Sequence, residues 1–404
     1  MERSMRRVIF LVDMNAFFIS CEMSRNPELK GRPAAVAGDP KSRTGIILAA
    51  NYDARAFGVK TTMLVHEAKR LCPRLVLVPP THGLYDRKSR EVMEILSRYA
   101  PILQQNSIDE AWLDLTGCEA LFGKPDQIAR RIMDDIRNEL DLWCSIGISE
   151  NKFLAKMGSE LKKPLGITEL WEKDVPTKLW PLKVREMYGI GKQTEKRLNE
   201  LGILTIGDIA ATDIKVLRSN FGKYGDELLR LSNGRDDSPV TPVPKHESRS
   251  ISRSTTLARN ITELEGARAV LLRLAEEVGE EARRYDFKGK TVSIVIRYDD
   301  FKTITRQKAV TPTFLTMDIY RTGSALLEEH WDRRRPIRLL GIGLGNIEEE
   351  APEQISIFDL SEELPDASKR EEKLERAMDS IRSRFGSEKL KRAKLVDPHP
   401  QEKE

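Results

Sequence analysis

The chain has 404 residues, enough for roughly two to four domains with cores of their own. With 32% charged and 40% hydrophobic residues it has the composition of a soluble protein, and no stretch is apolar enough to span a membrane. The net charge of +4 is unevenly spread: residues 348–368 are strongly acidic, which leaves the body up to 347 basic and suited to a polyanion partner.

The apolar run at 7–13 predicts a strand buried on both faces. It is too short for a signal peptide and ends on Asp13. A helix is expected over 14–23, short strands at 34–37 and 46–50, helices at 51–57 and 66–71, and a strand at 75–78. The helix at 85–99 is stopped by Pro101. The helix at 125–140 repeats Ile128, Ile132 and Ile136 on its buried face. A strand returns at 143–148, so this first part reads as α+β.

Residues 171–237 are a different unit, mostly helical. Gly189-Ile-Gly191-Lys192 within 187–198, followed by Leu201-Gly-Ile203, is a helix-hairpin-helix signature. Its glycines permit a tight turn whose backbone N–H groups can grip a phosphate without reading a base. Three prolines in 238–244 mark a stiff linker. Beyond it the order strand 248–256, helix 264–285, strands 291–297 and 302–310, helix 317–331 and strand 337–344 is β-α-β-β-α-β, a ferredoxin-like pattern. Its first strand alternates Arg249, Ile251 and Arg253 with Ser250, Ser252 and Ser254, a set suited to phosphate contact. The acidic stretch 348–368 reads as disordered. A short amphipathic helix follows at 369–385, with Leu374, Met378, Ile381 and Phe385 at helical spacing.

The four cysteines (Cys21, Cys72, Cys118 and Cys144) are far apart and form no CxxC, as in an intracellular, cytoplasmic protein with reduced thiols. The five histidines are scattered, so no zinc site is readable. Carboxylates carry the chemistry instead. Ser107-Ile-Asp-Glu-Ala-Trp-Leu-Asp-Leu115 reads as a loop opening into a strand, with Ala111, Leu113 and Leu115 on one face and Trp112 and Asp114 on the other. A turn is expected over the polar residues 104–107. Asp109 and Glu110 stand at the mouth of this strand. Adjacent strand residues point to opposite faces, so the two acids converge only where the chain bends or bulges. Brought up to Asp13, they repel strongly unless divalent cations intervene. Hard oxygen ligands suit Mg2+, and two ions about 4 Å apart are the usual arrangement for in-line phosphoryl transfer.

Val12-Asp-Met-Asn-Ala-Phe-Phe18, Ala50-Asn-Tyr-Asp-Ala-Arg55 through Val59, Ser107-Ile-Asp-Glu-Ala111, Gly147-Ile-Ser149 through Lys163-Pro164, and the Gly-Ile-Gly hairpin together resemble the Y-family DNA polymerases, the bacterial polymerase IV-like branch most closely. The motifs stand in the family's order across residues 5–347. The resemblance implies an α+β, multidomain right-hand polymerase without proofreading: a ferredoxin-like palm (1–16 and 81–170), small fingers (17–80), a helical thumb (171–237), the linker 238–244, a ferredoxin-like little finger (245–347) and a tail (348–404).

It also implies site residues. Asp13, Asp109 and Glu110, with the backbone carbonyl of Met14, would hold two Mg2+ ions, for which Mn2+ can substitute. One ion activates the primer 3′-OH and the other holds the triphosphate. Tyr52, Arg55 and Lys163 would grip the triphosphate, the carbonyl of Phe17 would lie beside it, and the Phe18 ring would be the steric gate against a ribose 2′-OH. Gly189, Gly191, Lys192, Arg249, Ser250, Ser252 and Arg253 would contact DNA. Gln354, Ile357 and Phe358, within Gln354-Ile-Ser-Ile-Phe358, resemble the pentapeptide that docks on a replication sliding clamp. The implied partners are primer–template DNA, deoxynucleoside triphosphates and that clamp, with no membrane and a monomeric enzyme. Two positions depart from the pattern. Asn15 stands where many relatives have an acid, and Ala49 where a hydroxyl is common near the triphosphate. A nucleotide cyclase shares the palm-like chemistry but has no use for the hairpin or the second ferredoxin-like unit. A non-catalytic DNA-binding paralogue usually lacks a metal ligand, and all three acids are present here.

Overall fold

The computed structural model describes residues 6–39, 45–242, 250–348, 366–386, 389–390 and 392–393. It divides into two units that meet in sequence at Val243 and Pro244.

The first unit opens with β1 (Ile9–Met14), α1 (Phe17–Arg25), β2 (Ala34–Ala37), β3 (Ile47–Ala50), α2 (Tyr52–Arg55), α3 (Val65–Leu71), β4 (Val76–Val78) and α4 (Leu84–Ser97). It continues with β5 (Ile102–Gln105), β6 (Glu110–Asp114), α5 (Glu119–Phe122), α6 (Pro125–Leu140), β7 (Cys144–Ser149), α7 (Lys152–Leu161) and β8 (Ile167–Glu169). The helices α8 (Lys192–Glu200), α9 (Ile206–Ala211), α10 (Ile214–Phe221) and α11 (Lys223–Ser232) close it. Five strands form one sheet in the order β5-β6-β1-β7-β8, and β3-β2-β4 form a smaller one. Strand β1 is central, and all six of its residues are buried, as its unbroken apolar run predicts. Phe10 and Val12 join Ala111, Leu113 and the α6 isoleucines in the core on one face of the sheet. Ile9 and Leu11 meet Trp112, Ala155 and Val240 on the other.

Two local expectations are corrected. The first helix starts at Phe17 rather than 14, because Met14 still pairs with Cys144 across the sheet and Ala16 adopts a left-handed φ of 48° that a helix cannot continue. Gln104 and Gln105 are strand rather than turn, paired with Trp112 and Ala111. Within the expected linker, residues 238–241 are irregular backbone that packs on the first unit. Val240 is buried, and Gln104 Oε1 accepts from the Thr241 N–H at 3.2 Å.

The second unit contains β9 (Ser250–Ile261), α12 (Leu264–Arg284), β10 (Lys288–Tyr298), β11 (Thr303–Thr313), α13 (Thr316–His330), β12 (Ile337–Glu348) and α14 (Asp366–Phe385). The β-α-β-β-α-β order is as expected, in an antiparallel sheet β11-β10-β12-β9 whose apolar residues pack against α12 and α13. The tail helix forms, but its apolar stripe is not what it buries. Leu374 and Phe385 are exposed, whereas Glu375 is 1% and Arg382 9% exposed. The reason is Arg283, a guanidinium buried at the end of α12. It pairs with Glu375 and, at 2.6 Å, with Asp379. Glu375 also accepts from the Thr316 N–H at the start of α13, at 3.0 Å. A buried cation left without these anions is far more costly than an exposed leucine.

Candidate active site

The antiparallel register sets Asp13 of β1 directly opposite Glu110 of β6. Cross-strand partners project to the same face, so these two carboxylates converge without any bulge. Helix α7 lies against the same sheet. Its start is capped by Asn151, whose side chain accepts from the Leu154 N–H at 2.8 Å and donates to the Gly234 carbonyl. Gly147 on β7 lets the helix close in: a Cβ there would collide with the Ala155 carbonyl and the Ser159 N–H. Lys156 and Glu160, at i and i+4 on this helix, and Lys163, in the turn just past its end at Leu161, are thereby carried to the acids.

Lys156 Nζ donates to Asp13 Oδ2 at 2.9 Å, to Glu110 Oε1 at 2.7 Å and to Glu160 Oε1 at 2.9 Å. Lys163 Nζ lies 2.8 Å from Asp13 Oδ1 and 2.8 Å from Glu160. Burial works against the charge on Lys156, but Asp13, Glu110 and Glu160 outweigh it and hold its pKa above the ordinary lysine value. Oxygens of Asp13, Glu110 and Glu160 lie within 4.8 Å of one another. Asp109 is not part of that trio. Its backbone carbonyl accepts from the Met14 N–H at 3.0 Å, while its carboxylate accepts from Ser107 Oγ at 2.6 Å. The donor set at this end of the sheet is carboxylate oxygen, the chemistry that suits a hard divalent cation.

Two residues on α2 join the site. Asn51 caps the helix from its N-cap position, accepting from the Ala54 N–H at 2.9 Å. The Arg55 guanidinium lies 4.9 Å from the Tyr52 ring centroid, and its Nε donates to the Ala50 carbonyl. Burial raises the Tyr52 pKa against the pull of Arg55 and Lys163, and Asp13 and Glu160 also act on this hydroxyl. Among the described residues the buried Tyr52 hydroxyl has no hydrogen-bond partner. Ala49 is buried on β3. Asn15 has structural work: it donates to Ser145 Oγ at 3.0 Å and accepts from the Leu165 N–H at 2.9 Å, which ties the segment after Lys163 to the sheet.

Phe17 is buried in the core, while Phe18 is half-buried and stacks on Tyr85 with centroids 4.0 Å apart and planes within 5°. The Tyr85 hydroxyl donates to the buried Glu22 carboxylate at 2.7 Å. In the hairpin, Gly189 has a φ of +93° and its carbonyl accepts from Tyr224; Gly191 caps α8 without a side chain, and Lys192 is exposed. In the second unit Ser250, Ser252 and Ser254 are exposed on one face of β9. Arg253 is on the opposite face, ion-paired with Glu281 of α12. Arg249, Gln354, Ile357 and Phe358 lie outside the described residues.

The family model described as impB/mucB/samB matches residues 12–160, its C-terminal domain 248–357, and the IMS family HHH motif 172–203. The chain belongs to the Y family of DNA polymerases. The Y-family chain is 53% identical over 395 residues to the DNA polymerase IV of Clostridium kluyveri, covering 97% of this chain and 99% of that one. It is 51% identical to that of Alkaliphilus oremlandii, covering 97% and 100%. A solved Y-family DNA polymerase chimera (Dbh-Dpo4-Dbh) superposes with a TM-score of 0.77 at 28% identity, over 85% of this chain and 100% of the other. No helix among the described residues is long and apolar enough to cross a membrane.

The sequence reading missed Lys156, Glu160 and the Glu22–Tyr85 support behind Phe18. The signal for the first two was present in the cap at Asn151 followed by Lys156 and Glu160 four residues apart on one helical face. Glu22 and Tyr85 are too far apart in sequence for any periodicity to join them.

Proposed function

We propose that the chain is a template-directed DNA polymerase that adds deoxynucleotides to a primer 3′ end, with low fidelity and without proofreading, in synthesis past damaged template. The observation that carries this reading is the register that sets Asp13 against Glu110 at the end of a buried sheet. The palm is assigned to 1–16 and 81–170, the fingers to 17–80, the thumb to 171–237 and the little finger to 245–347. Asp13, Asp109, Glu110 and the Met14 carbonyl are the residues that would hold Mg2+; Ser107 engages one oxygen of Asp109. When bound, the ions supply positive charge to the attacking and leaving oxygens. Arg55, Lys163 and the unpartnered Tyr52 hydroxyl offer three different donors to a triphosphate beside the Phe17 carbonyl. Primer extension with Mg2+ on undamaged and adducted templates tests the whole reading. No extension on either would reject it.

DNA affinity should be mostly electrostatic and blind to sequence. The N–H groups at the start of α8 after Gly191, which no side chain caps, suit one backbone together with Lys192, and the open hydroxyl face of Ser250 and Ser252 suits another. Because Arg253 already has an anionic partner, the share of Arg249 should be larger. Arg249→Ala should flatten the log–log salt dependence of binding by about one unit, and Arg253→Ala by less. Fluorescence anisotropy across a salt series measures both slopes; equal or absent changes would reject this assignment of the strand.

Residues 354–358 are proposed to tether the enzyme to a sliding clamp. Gln354, Ile357 and Phe358 are apolar or amide groups in an acidic stretch, suited to a pocket on a partner. Tethering of this kind raises effective affinity about 10²–10⁴-fold without new DNA contacts. Gln354→Ala combined with Phe358→Ala should leave distributive synthesis intact and abolish stimulation by a loaded clamp. Stimulation that survives in the double variant would move attention to α14.

A further inference from the structure

Lys156 is an unusual neighbour for a cation site. Its side chain is 7% exposed, and its ammonium donates to three carboxylates, all within 2.9 Å. An ammonium has three N–H donors, so none is left over. Asp13 and Glu110 face one another on adjacent strands and would otherwise repel at short range in a poorly solvated place. Glu160 differs from them: it sits one helical turn from Lys156, and its side chain is 45% exposed. Resting on the reading of Asp13 and Glu110 as metal ligands, we propose that Lys156 is their resident counter-cation and sets the affinity of the site for divalent ions by competing for the same oxygens.

An ion that takes Asp13 and Glu110 requires Lys156 to release them. Glu160 gives the ammonium somewhere to go, since the i, i+4 pair survives on the outer side of α7 while the inner contacts are given up. Lys163 acts on the other oxygen of Asp13 but is more exposed, at 21%, and is the easier of the two to move. Lys156 is thus a positioning residue: it holds the two carboxylates in register before metal arrives and is displaced when it does. The apparent metal affinity is scaled down to the fraction of molecules in which the lysine has released the two carboxylates.

The test uses Mn2+ alone, followed by electron paramagnetic resonance of the free ion, with the full chain and no DNA or nucleotide. Lys156→Gln should bind Mn2+ about tenfold more tightly than the parent. In EDTA it should melt roughly 5 °C lower, with saturating Mg2+ making good the loss. Lys156→Arg keeps the charge and should resemble the parent in both measurements. A Gln variant with parental Mn2+ affinity, or one that Mg2+ fails to restabilise, would overturn the inference. So would an Arg variant that binds as tightly as the Gln variant. A parent chain that binds no Mn2+ would instead remove the metal reading itself, and the two failures are told apart by that first titration.

Discussion

Purified Glu110→Ala protein is expected to bind primer–template as the parent does and to extend it at least about 10³-fold more slowly, a loss of roughly 4 kcal/mol of transition-state stabilisation. The fold should survive. Lys156, the buried partner of Glu110, keeps Asp13 at 2.9 Å and Glu160 at 2.9 Å, so no cation is stranded by the change. The remaining contact, from Asn106 Nδ2 to Glu110 Oε2 at 2.9 Å, belongs to a partly exposed turn. Asp109→Asn is expected to fall nearly as far in activity. It preserves the backbone bond to Met14 and an acceptor for Ser107, so its effect isolates the charge. Single-nucleotide incorporation under pre-steady-state conditions, beside a binding titration, measures both quantities. Near-parental incorporation by either variant would remove that carboxylate from the chemistry.

Phe18→Ala should raise the ratio of ribonucleotide to deoxynucleotide kcat/KM by about 10²-fold, the scale on which a close-fitting apolar wall rejects an added hydroxyl. The wall has to be stiff to do this. Face-to-face stacking on Tyr85 fixes the Phe18 ring, and Tyr85 is itself held by Glu22 at 2.7 Å and by the Thr81 N–H at 3.1 Å. The ring is only half-buried, so truncation should cost about 2 kcal/mol of stability, below the range for a fully buried phenylalanine. Phe17 is the natural control. It is 4% exposed in the core, and Phe17→Ala should lower the melting temperature more while moving the sugar preference less. An unchanged ratio in Phe18→Ala would place the gate elsewhere.

Local chemistry was readable from residue order wherever one element's own pattern decides the outcome. The unbroken apolar run at 8–12 predicts a strand covered on both faces, and it became part of the central β1. The fourfold spacing of Ile128, Ile132 and Ile136 gave α6 over Pro125–Leu140. The second unit's β-α-β-β-α-β order also followed from periodicity alone. Motif spacing added the family, because five short stretches in one order are specific even where each is weak.

Only the tertiary structure decided how those pieces meet. Asp109 and Glu110 are adjacent in sequence, yet the β1–β6 register sets Glu110 opposite Asp13, while Asp109 lies just before the strand and its carboxylate accepts from Ser107. Arg253 alternates with serines in the sequence, but the same period of two sends it to the helix layer and Glu281. The tail helix shows the limit most plainly. Hydrophobic spacing predicts that Leu374, Met378, Ile381 and Phe385 turn inward, but a buried Arg283 some ninety residues upstream requires Glu375 and Asp379 there instead. Periodicity reports what a helix would bury in isolation. An unpaired buried charge outweighs that preference, and no local pattern says where in space such a charge lies.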